Sequence, residues 1–288
     1  MSNSVPSFGW EAIVDLALAE DIGTGDITTL STVPPETEAT GRLLAKQAGV
    51  ISGLVVAAWV CQRVDPAIVF QPLVADGDRV TPMTAIARVS GPARSLLTAE
   101  RTALNLLQRL SGVATVTATY VGETTGSHSR VVDTRKTTPG LRLLEKHAVQ
   151  HGGGHNHRFG LSDGVLIKDN HLAAVGGPHR IAEAIARARD LAPHTLKIEC
   201  EVTTLDELDQ ALAAGADIVM LDNMDNDAIA TAIQRRNEQA PGVLLEASGG
   251  ITLGRIRSLA DLGVDLISVG ALTHSAPALD ISLDLDLR

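Results

Sequence analysis

The sequence predicts an α/β protein in which a small α+β domain precedes a series of parallel βα units. Three observations carry this expectation. Aromatic residues make up only 2% of the 288 residues, while Ala, Leu, Val and 26 glycines abound. Such a composition gives the small aliphatic core of helix-wrapped parallel sheets. The pattern changes near residue 97, from short alternating stretches to helical spacing. From Arg130 onward, six short apolar runs each end in a polar residue or glycine, near 133, 168, 201, 222, 248 and 270. After the first intervals the spacing settles at roughly 20–30 residues, the length of a βα unit.

Taken in order, Glu11–Glu20 reads as a short amphipathic helix, followed by the turn-rich EDIGTGDITT. GRLLAKQAGVISG, AIVFQPLVADGDRV and TAIARVSG alternate and are punctuated by Gly, Pro and Asp-Gly, as antiparallel strands and hairpins are. Residues 1–97 therefore form the first domain and 98–275 the second. Thr98 is placed as the N-cap of a long helix carrying Ala103, Leu106, Leu107, Leu110, Val113 and Ala114 at helical spacing. The six later runs suggest a barrel of parallel strands. Two alternatives stay open: an open doubly wound sheet, or an incomplete barrel with a seventh short strand around HNHRFG. ALDISLDLDL, near the end, alternates strictly and is expected to return to one of the sheets as a strand over 276–288.

Composition excludes several classes. At 44% apolar the chain is not globally disordered. Its longest purely apolar stretch, near Leu54–Cys61, falls far short of the roughly 20 residues of a membrane span. No secretory signal is visible, and Cys61 and Cys200 provide neither a disulfide framework nor a metal-ligand spacing, so a reducing cytoplasm fits. The net charge of −10 argues against nucleic-acid binding. Yet residues 130–170 hold seven Lys/Arg against four acids, a local +3 that leaves the remainder at −13. A basic island in an acidic protein points to a pocket for a small anion.

Loops after the strands of a parallel barrel form its active face. They would gather Arg135, Lys136, Lys168, Glu201, Asp222, Ser248 and two glycine-bearing turns. EASGGI and SVGALTHS form a pair of glycine loops after the last strands, where backbone N–H groups and helix N-termini receive phosphate. Arg135, Lys136, Arg158 and Lys168 suit carboxylates or phosphates, with His157 the foremost histidine for a ligand contact. No helical His-x-x-x-His pair with a third ligand is apparent, which weighs against a histidine metal site. Glu201 and Asp222 can accept sugar hydroxyls, hold Mg²⁺ through water, stabilise developing positive charge, or simply pair with Lys168 or Lys136. Glu199 shares a face with Glu201, and its role is open. Arg101 is assigned to a helix's first turn, where the dipole disfavours a cation unless an anion lies near.

ERTALNLLQRLSGVAT, DTRKTTPGLRLLEKHAV, GGGHNHRFGLSDGVLIKDNH, DIVMLDN and EASGGI, in this order, resemble the quinolinate phosphoribosyltransferases, over nearly the whole chain. The resemblance implies an N-terminal α+β sandwich followed by an incomplete α/β barrel, the type II phosphoribosyltransferase fold. It implies transfer of phosphoribosyl from 5-phosphoribosyl-1-diphosphate to quinolinate, with loss of diphosphate and CO₂, in NAD synthesis. The implied assembly is a homodimer, or a higher homo-oligomer, with shared sites and no nucleic-acid or membrane partner. Arg101 would reach a neighbouring subunit's site, and Arg135, Lys136, His157 and Arg158 would clamp the quinolinate carboxylates. Lys168 would serve the diphosphate or the carboxylates, and Glu201 and Asp222 the ribose hydroxyls and Mg²⁺, with Lys136, Glu201 and Asp222 as the catalytic set. Ser248, Gly249, Gly250, Gly270 and Ala271 would bind the 5′-phosphate, and Thr134 and His274 also count among the substrate contacts. A paralogue with another acceptor, or a non-catalytic anion-binding protein, is the alternative.

Overall fold

A computed structural model of the chain describes residues 9–287. The chain divides into two compact units: residues up to Ala118 with Lys136–Gly153 and Ala271 onward, and Thr119–Arg135 with Gly154–Gly270. No helix among the described residues is long and apolar enough to cross a membrane.

The first unit begins with α1 (Glu11–Ile22) and α2 (Ile27–Thr32), then β1 (Glu38–Ala45), β2 (Gly49–Val50), α3 (Leu54–Val64), β3 (Val69–Pro72), β4 (Arg79–Val80), β5 (Ala85–Pro92) and α4 (Ala93–Gly122). The stretch after α1 is not all turn. Asp26 accepts a hydrogen bond from the Thr29 backbone N–H at 3.0 Å and caps α2. The long helix also begins earlier than Thr98, at Ala93. Gly91 adopts φ +147° and Pro92 fixes the backbone just ahead of the helix, so the start is set by backbone geometry and not by a capping side chain. Thr98 lies inside α4, where its hydroxyl donates to Asp26 at 3.2 Å.

After α4 come β6 (Arg130–Val132), α5 (Arg142–His151), β7 (Val165–Ile167), α6 (Asp169–Val175), α7 (Arg180–Leu191), β8 (Ile198–Val202), α8 (Leu205–Ala213), β9 (Ile218–Asp222), α9 (Asn226–Gln239), β10 (Leu244–Ser248), α10 (Leu253–Leu262), β11 (Leu266–Ser268), α11 (Ala271–His274) and β12 (Ile281–Leu287). In the first unit, β12 pairs antiparallel with β1, giving the order β12-β1-β5-β3. The C-terminal alternation thus ends on the antiparallel sheet. The second unit is a six-stranded parallel sheet in the order β6-β11-β10-β9-β8-β7. Its edge strands β6 and β7 do not pair with each other. The seventh strand weighed around HNHRFG is reduced to one parallel bridge, His155 to Val132. The fold is α/β with an incomplete barrel.

Local sequence explains the alternation of strand and helix. All five residues of β8 are buried, as in a strand covered on both faces. Thr204 and Asp225 cap α8 and α9 by accepting the N–H groups of Glu207 and Ala228. Leu208, Ala211 and Leu212 on α8, and Ile256, Leu259 and Ala260 on α10, give each helix one buried stripe.

In the first unit the chain before β12 crosses α4 at Gly112. A Cβ there would lie 1.9 Å from the Pro277 carbonyl oxygen. The crossing is fastened by Leu279 N–H to the Gln108 carbonyl at 2.9 Å and the Gln108 amide to the Ile281 carbonyl at 2.7 Å. Gly112→Ala must therefore displace backbone. It should cost about 1–3 kcal/mol, the usual range for overpacking, and lower the melting temperature. An unchanged melting curve would show that the crossing yields freely.

Candidate active site

Side chains alternate along a strand, and alternate strands of a barrel share a layer. Glu199 and Glu201 on β8 face inward with Met220 and Asp222 on β9 and Glu246 and Ser248 on β10, as the parallel register requires. Glu199 and Glu246 meet in one layer, since the imidazole of His157 reaches both: Nε2 is 3.1 Å from Glu199 and 3.5 Å from Glu246.

The segment bearing His157 is tied to the end of β6. Asp133, wholly buried, accepts the His157 N–H at 2.9 Å and the Asn156 side-chain amide at 2.6 Å. His157 Nδ1 accepts the Arg158 N–H at 2.7 Å. A nitrogen that accepts carries a lone pair, so the ring proton is assigned to Nε2, which faces Glu199. The resemblance implies a carboxylate clamp at His157; here both ring nitrogens already have partners.

Arg135, Arg158 and Lys168 line one cavity of about 510 Å³, together with His171, Arg187 and an apolar wall that includes Leu161. Arg158 donates through Nη1 to the Gly164 carbonyl at 3.0 Å. Burial, then the charge of Arg135, pushes the Arg158 pKa below that of a free guanidinium, against the pull of Glu199 and Asp163. Two cations held this way favour an anion. Lys168 Nζ lies 2.5 Å from Glu201, so the ion pair weighed for this acid is realised.

Asp222 accepts the Asn223 amide at 2.8 Å, and Asn223 has φ +55°. The Asn223 side chain occupies the space of a Cβ on Gly249, within 2.4 Å, and Asn223 N–H donates to the Ser248 carbonyl at 3.0 Å. Gly249 and Gly250 follow with φ +84° and +59° just before α10, giving the concave backbone that cradles anions. Ser248 closes β10, Gly270 follows β11, and Thr134 precedes Arg135.

Arg101, Lys136, Ala271 and His274 belong to the first unit. Arg101 lies in the third turn of α4, since that helix starts at Ala93, and not in a first turn. At that depth the helix dipole does not disfavour a cation, so it points to no anion near Arg101. Arg101 is exposed and lines a cavity with Asp21, Asp26 and Thr98. The Lys136 carbonyl accepts the Thr273 hydroxyl at 2.9 Å, and His274 Nδ1 is 2.6 Å from Ser275 Oγ.

A helical histidine pair does exist. His147 and His151 sit on α5 with ring centroids 6.4 Å apart. His151 bonds Ser52 at 2.8 Å, and burial lowers the pKa of both rings, with Asp76 opposing. Asp76 caps α3 through Gly53 and Leu54. Among the described residues only His157, Glu199 and Glu246 bring three His/Cys/Asp/Glu ligand atoms within 4.8 Å of one another. Sequence reasoning missed Glu246 and Asp133. The inward period of EAS in EASGGI signals Glu246, but nothing in sequence pairs it with Glu199.

Glu201 and Asp222 offer hard oxygen donors at the ends of adjacent strands. A Mg²⁺ that keeps its waters and bridges to a diphosphate needs one or two such carboxylates. The residues fit that ion.

Residues 26–111 match the model of the quinolinate phosphoribosyl transferase N-terminal domain, and residues 113–284 that of its C-terminal domain. Relatives include the nicotinate-nucleotide pyrophosphorylase (carboxylating) of Mycobacterium leprae, 47% identical over 272 residues, covering 93% of this chain and 94% of that one. The chloroplastic nicotinate-nucleotide pyrophosphorylase (carboxylating) of Arabidopsis thaliana is 40% identical over 296 residues, covering 98% and 84%. Among solved structures, the nicotinate-nucleotide pyrophosphorylase from Francisella tularensis superposes with a TM-score of 0.91 at 42% identity, covering 99% of this chain and 98% of that one.

Burial first, then the charge of Glu199, pushes the Glu246 carboxyl from 4.5 up to about 8, against His157 and Lys168. The folded protein thus keeps a proton that the unfolded chain releases. The stabilisation is complete below about pH 4.5 and is lost as pH rises to about 8. Glu246→Gln, neutral at every pH, should gain melting temperature relative to wild type across that interval, with parallel curves above it. A constant difference at all pH values would mean that Glu246 is ionised in the fold.

Proposed function

This chain belongs to the quinolinate phosphoribosyltransferase family, and we infer from that membership that it converts quinolinate to nicotinate mononucleotide in NAD biosynthesis. It is a decarboxylating phosphoribosyltransferase: 5-phosphoribosyl-1-diphosphate donates the sugar phosphate, and diphosphate and CO₂ leave. The observation that carries the assignment of roles is the cavity shared by Arg135, Arg158 and Lys168. Quinolinate is a dianion, and guanidinium groups match carboxylates in shape and charge. By family membership Thr134 and Lys136, which flank Arg135 in sequence, are further quinolinate contacts.

The Ser248–Gly250 loop, Gly270 and Ala271 take the 5′-phosphate, with His274 a further contact. Glu201 and Asp222 hold the ribose hydroxyls and Mg²⁺, which when bound neutralises the departing diphosphate. As diphosphate leaves, C1′ acquires positive charge, and these two carboxylates stabilise it. Attack by the ring nitrogen makes the pyridinium, whose positive charge stabilises the electron pair left on the adjacent ring carbon as CO₂ departs, and a proton from solvent then takes that position. The protein acts by positioning and electrostatics, with Lys136 counted in the catalytic set and no covalent nucleophile. Cys61 and Cys200 are buried free thiols, pushed up to about 11 and about 12 chiefly by burial, which accords with a cytoplasmic setting.

Incubation of the protein with both substrates and Mg²⁺ should release CO₂ and nicotinate mononucleotide, and chelation should stop it. Absence of CO₂ release with metal present would reject the assignment. Asp222→Asn and Glu201→Gln should leave quinolinate binding largely intact while turnover falls by about 10²–10³, as for other losses of preorganised charge stabilisation. Lys136→Ala and Arg158→Ala should instead weaken quinolinate binding by about tenfold or more. Turnover near wild type in the first pair would reassign those acids to ion pairing.

The assembly is a homodimer in which Arg101 serves the neighbouring subunit's site. Arg101→Ala and Lys136→Ala homodimers should each be nearly inactive. In a mixed dimer one site bears both defects and the other none, so activity should rise towards half of wild type per heterodimer. A flat mixing curve, with subunit exchange shown by mass spectrometry, would confine Arg101 to its own chain.

A further inference from the structure

The layer beneath the anion-binding residues is unusual for a barrel interior. Where aliphatic side chains ordinarily fill such a layer, this chain buries two carboxyls, Glu199 at 3% exposure and Glu246 at 0%. Among the described residues, both Glu246 oxygens and Glu199 Oε1 lack a close hydrogen-bond partner, and the Ser268 hydroxyl is the one neutral donor that acts on Glu246. Buried, unsatisfied carboxylates carry a heavy desolvation cost, and two side by side repel.

Two occupants would relieve this layer: a divalent cation or a proton. The geometry at His157 decides between them. A metal would need the lone pair of Nε2, yet Nδ1 already spends its own on the Arg158 N–H, so Nε2 carries the ring proton and points it at Glu199. The nitrogen facing the acids is a donor. A cation is disfavoured, and Glu199 accepts the hydrogen bond from the Nε2–H at 3.1 Å.

We propose that Glu246 is a positioning residue held as a neutral carboxylic acid, so that it adds no second charge beside the Glu199–His157 contact, which fixes His157 and through it Arg158. The chain of contact runs from Glu199 to His157 Nε2 at 3.1 Å and from His157 Nδ1 to the Arg158 N–H at 2.7 Å. A second charge on Glu246 would pull Arg158 and Lys168 toward the layer and oppose an anion above it. The proposal rests on the reading that Arg158 meets the quinolinate carboxylates. The titratable groups acting on Glu246 are Glu199 from β8, His157 from the segment after β6, and Lys168 from the end of β7. The neighbouring strands β9 and β11 set Met220 and Leu266 level with it, neither of which titrates.

The test is quinolinate affinity between pH 6.5 and about 9.5, with steady-state KM and kcat measured alongside. Wild type should lose about tenfold in affinity above about pH 8 as Glu246 ionises, mainly in KM. Glu246→Gln should bind within about threefold of wild type at neutral pH and show no such loss. Glu246→Asp, which still ionises, should keep it. Wild-type affinity that is flat to pH 9.5 overturns the proposal without any variant, and so does a Glu246→Gln protein that is folded but impaired at every pH. A stoichiometric metal that survives dialysis of wild type and is absent from Glu246→Gln would also overturn it. If Arg158→Ala leaves quinolinate affinity unchanged, the underlying reading of Arg158 fails, whichever way Glu246 behaves.

Discussion

The direction in which strand side chains face governs the chemistry of the parallel sheet. Parallel register and strict alternation put Glu199, Glu201, Asp222 and Glu246 on the inside together. An interior so acidic repels anionic substrates unless cations are laid over it. None of the six strands supplies an inward lysine or arginine beside these acids. The cations come from just beyond strand ends and from loops: Arg135 two residues past Asp133, Arg158 beside the bridge at His155, and Lys168 after Ile167. Acids below and cations above are mutually stabilising, as the Lys168–Glu201 contact at 2.5 Å shows directly. The cations are thereby held in place before any ligand arrives.

A second ion pair does similar work in the other unit. Arg109 on α4 bonds Glu145 on α5 at 2.8 Å, with Glu145 wholly buried. The same guanidinium donates to the carbonyls of Ala276, at 2.7 Å, and Thr273, while Glu145 accepts Thr138 N–H and Oγ1 at 3.0 and 2.7 Å. One ion pair thus fastens the turn after Lys136, helix α5 and the segment after His274. Because Glu145 is wholly buried, losing Arg109 would strand its charge. The backbone next to Lys136 and His274 is thus held by this pair, through Thr138 and Thr273.

Much of this was legible from the chain. All six apolar runs after Arg130 became strands, and their polar ends delivered Lys168, Glu201, Asp222 and Ser248, because a strand's period and its exit to solvent are local properties. The start of α4 was misplaced because Thr98 looks like a cap, whereas Gly91 and Pro92 set the boundary through backbone angles. With that error went the argument from the helix dipole at Arg101. Glu246 and Asp133 were missed for a different reason. Each matters through a partner far off in sequence, Glu199 and His157 respectively, and closure of a barrel layer has no one-dimensional signature. Arg109 and Glu145 escaped notice likewise, since an Arg and a Glu on separate helices look like solvated surface until packing buries them.

The failure of the barrel to close is itself part of how the site is made. Among the described residues, β7 pairs with β8 on one side and with no strand on the other, and β6 gains on its free side the bridge at His155. An unpaired edge exposes carbonyl groups that seek donors. At β7 the donor is Arg158, whose guanidinium bonds the carbonyl of Gly164 just ahead of the strand. The cavity shared by Arg135, Arg158 and Lys168 runs along this same edge, from Gly164 to Lys168. A further strand laid against β7 would fill that cavity and take the Gly164 carbonyl for itself. Leaving the strand out therefore opens the space, and an arginine blunts the edge and is oriented by it. The missing strand and the cavity lined by cations are one feature of the fold.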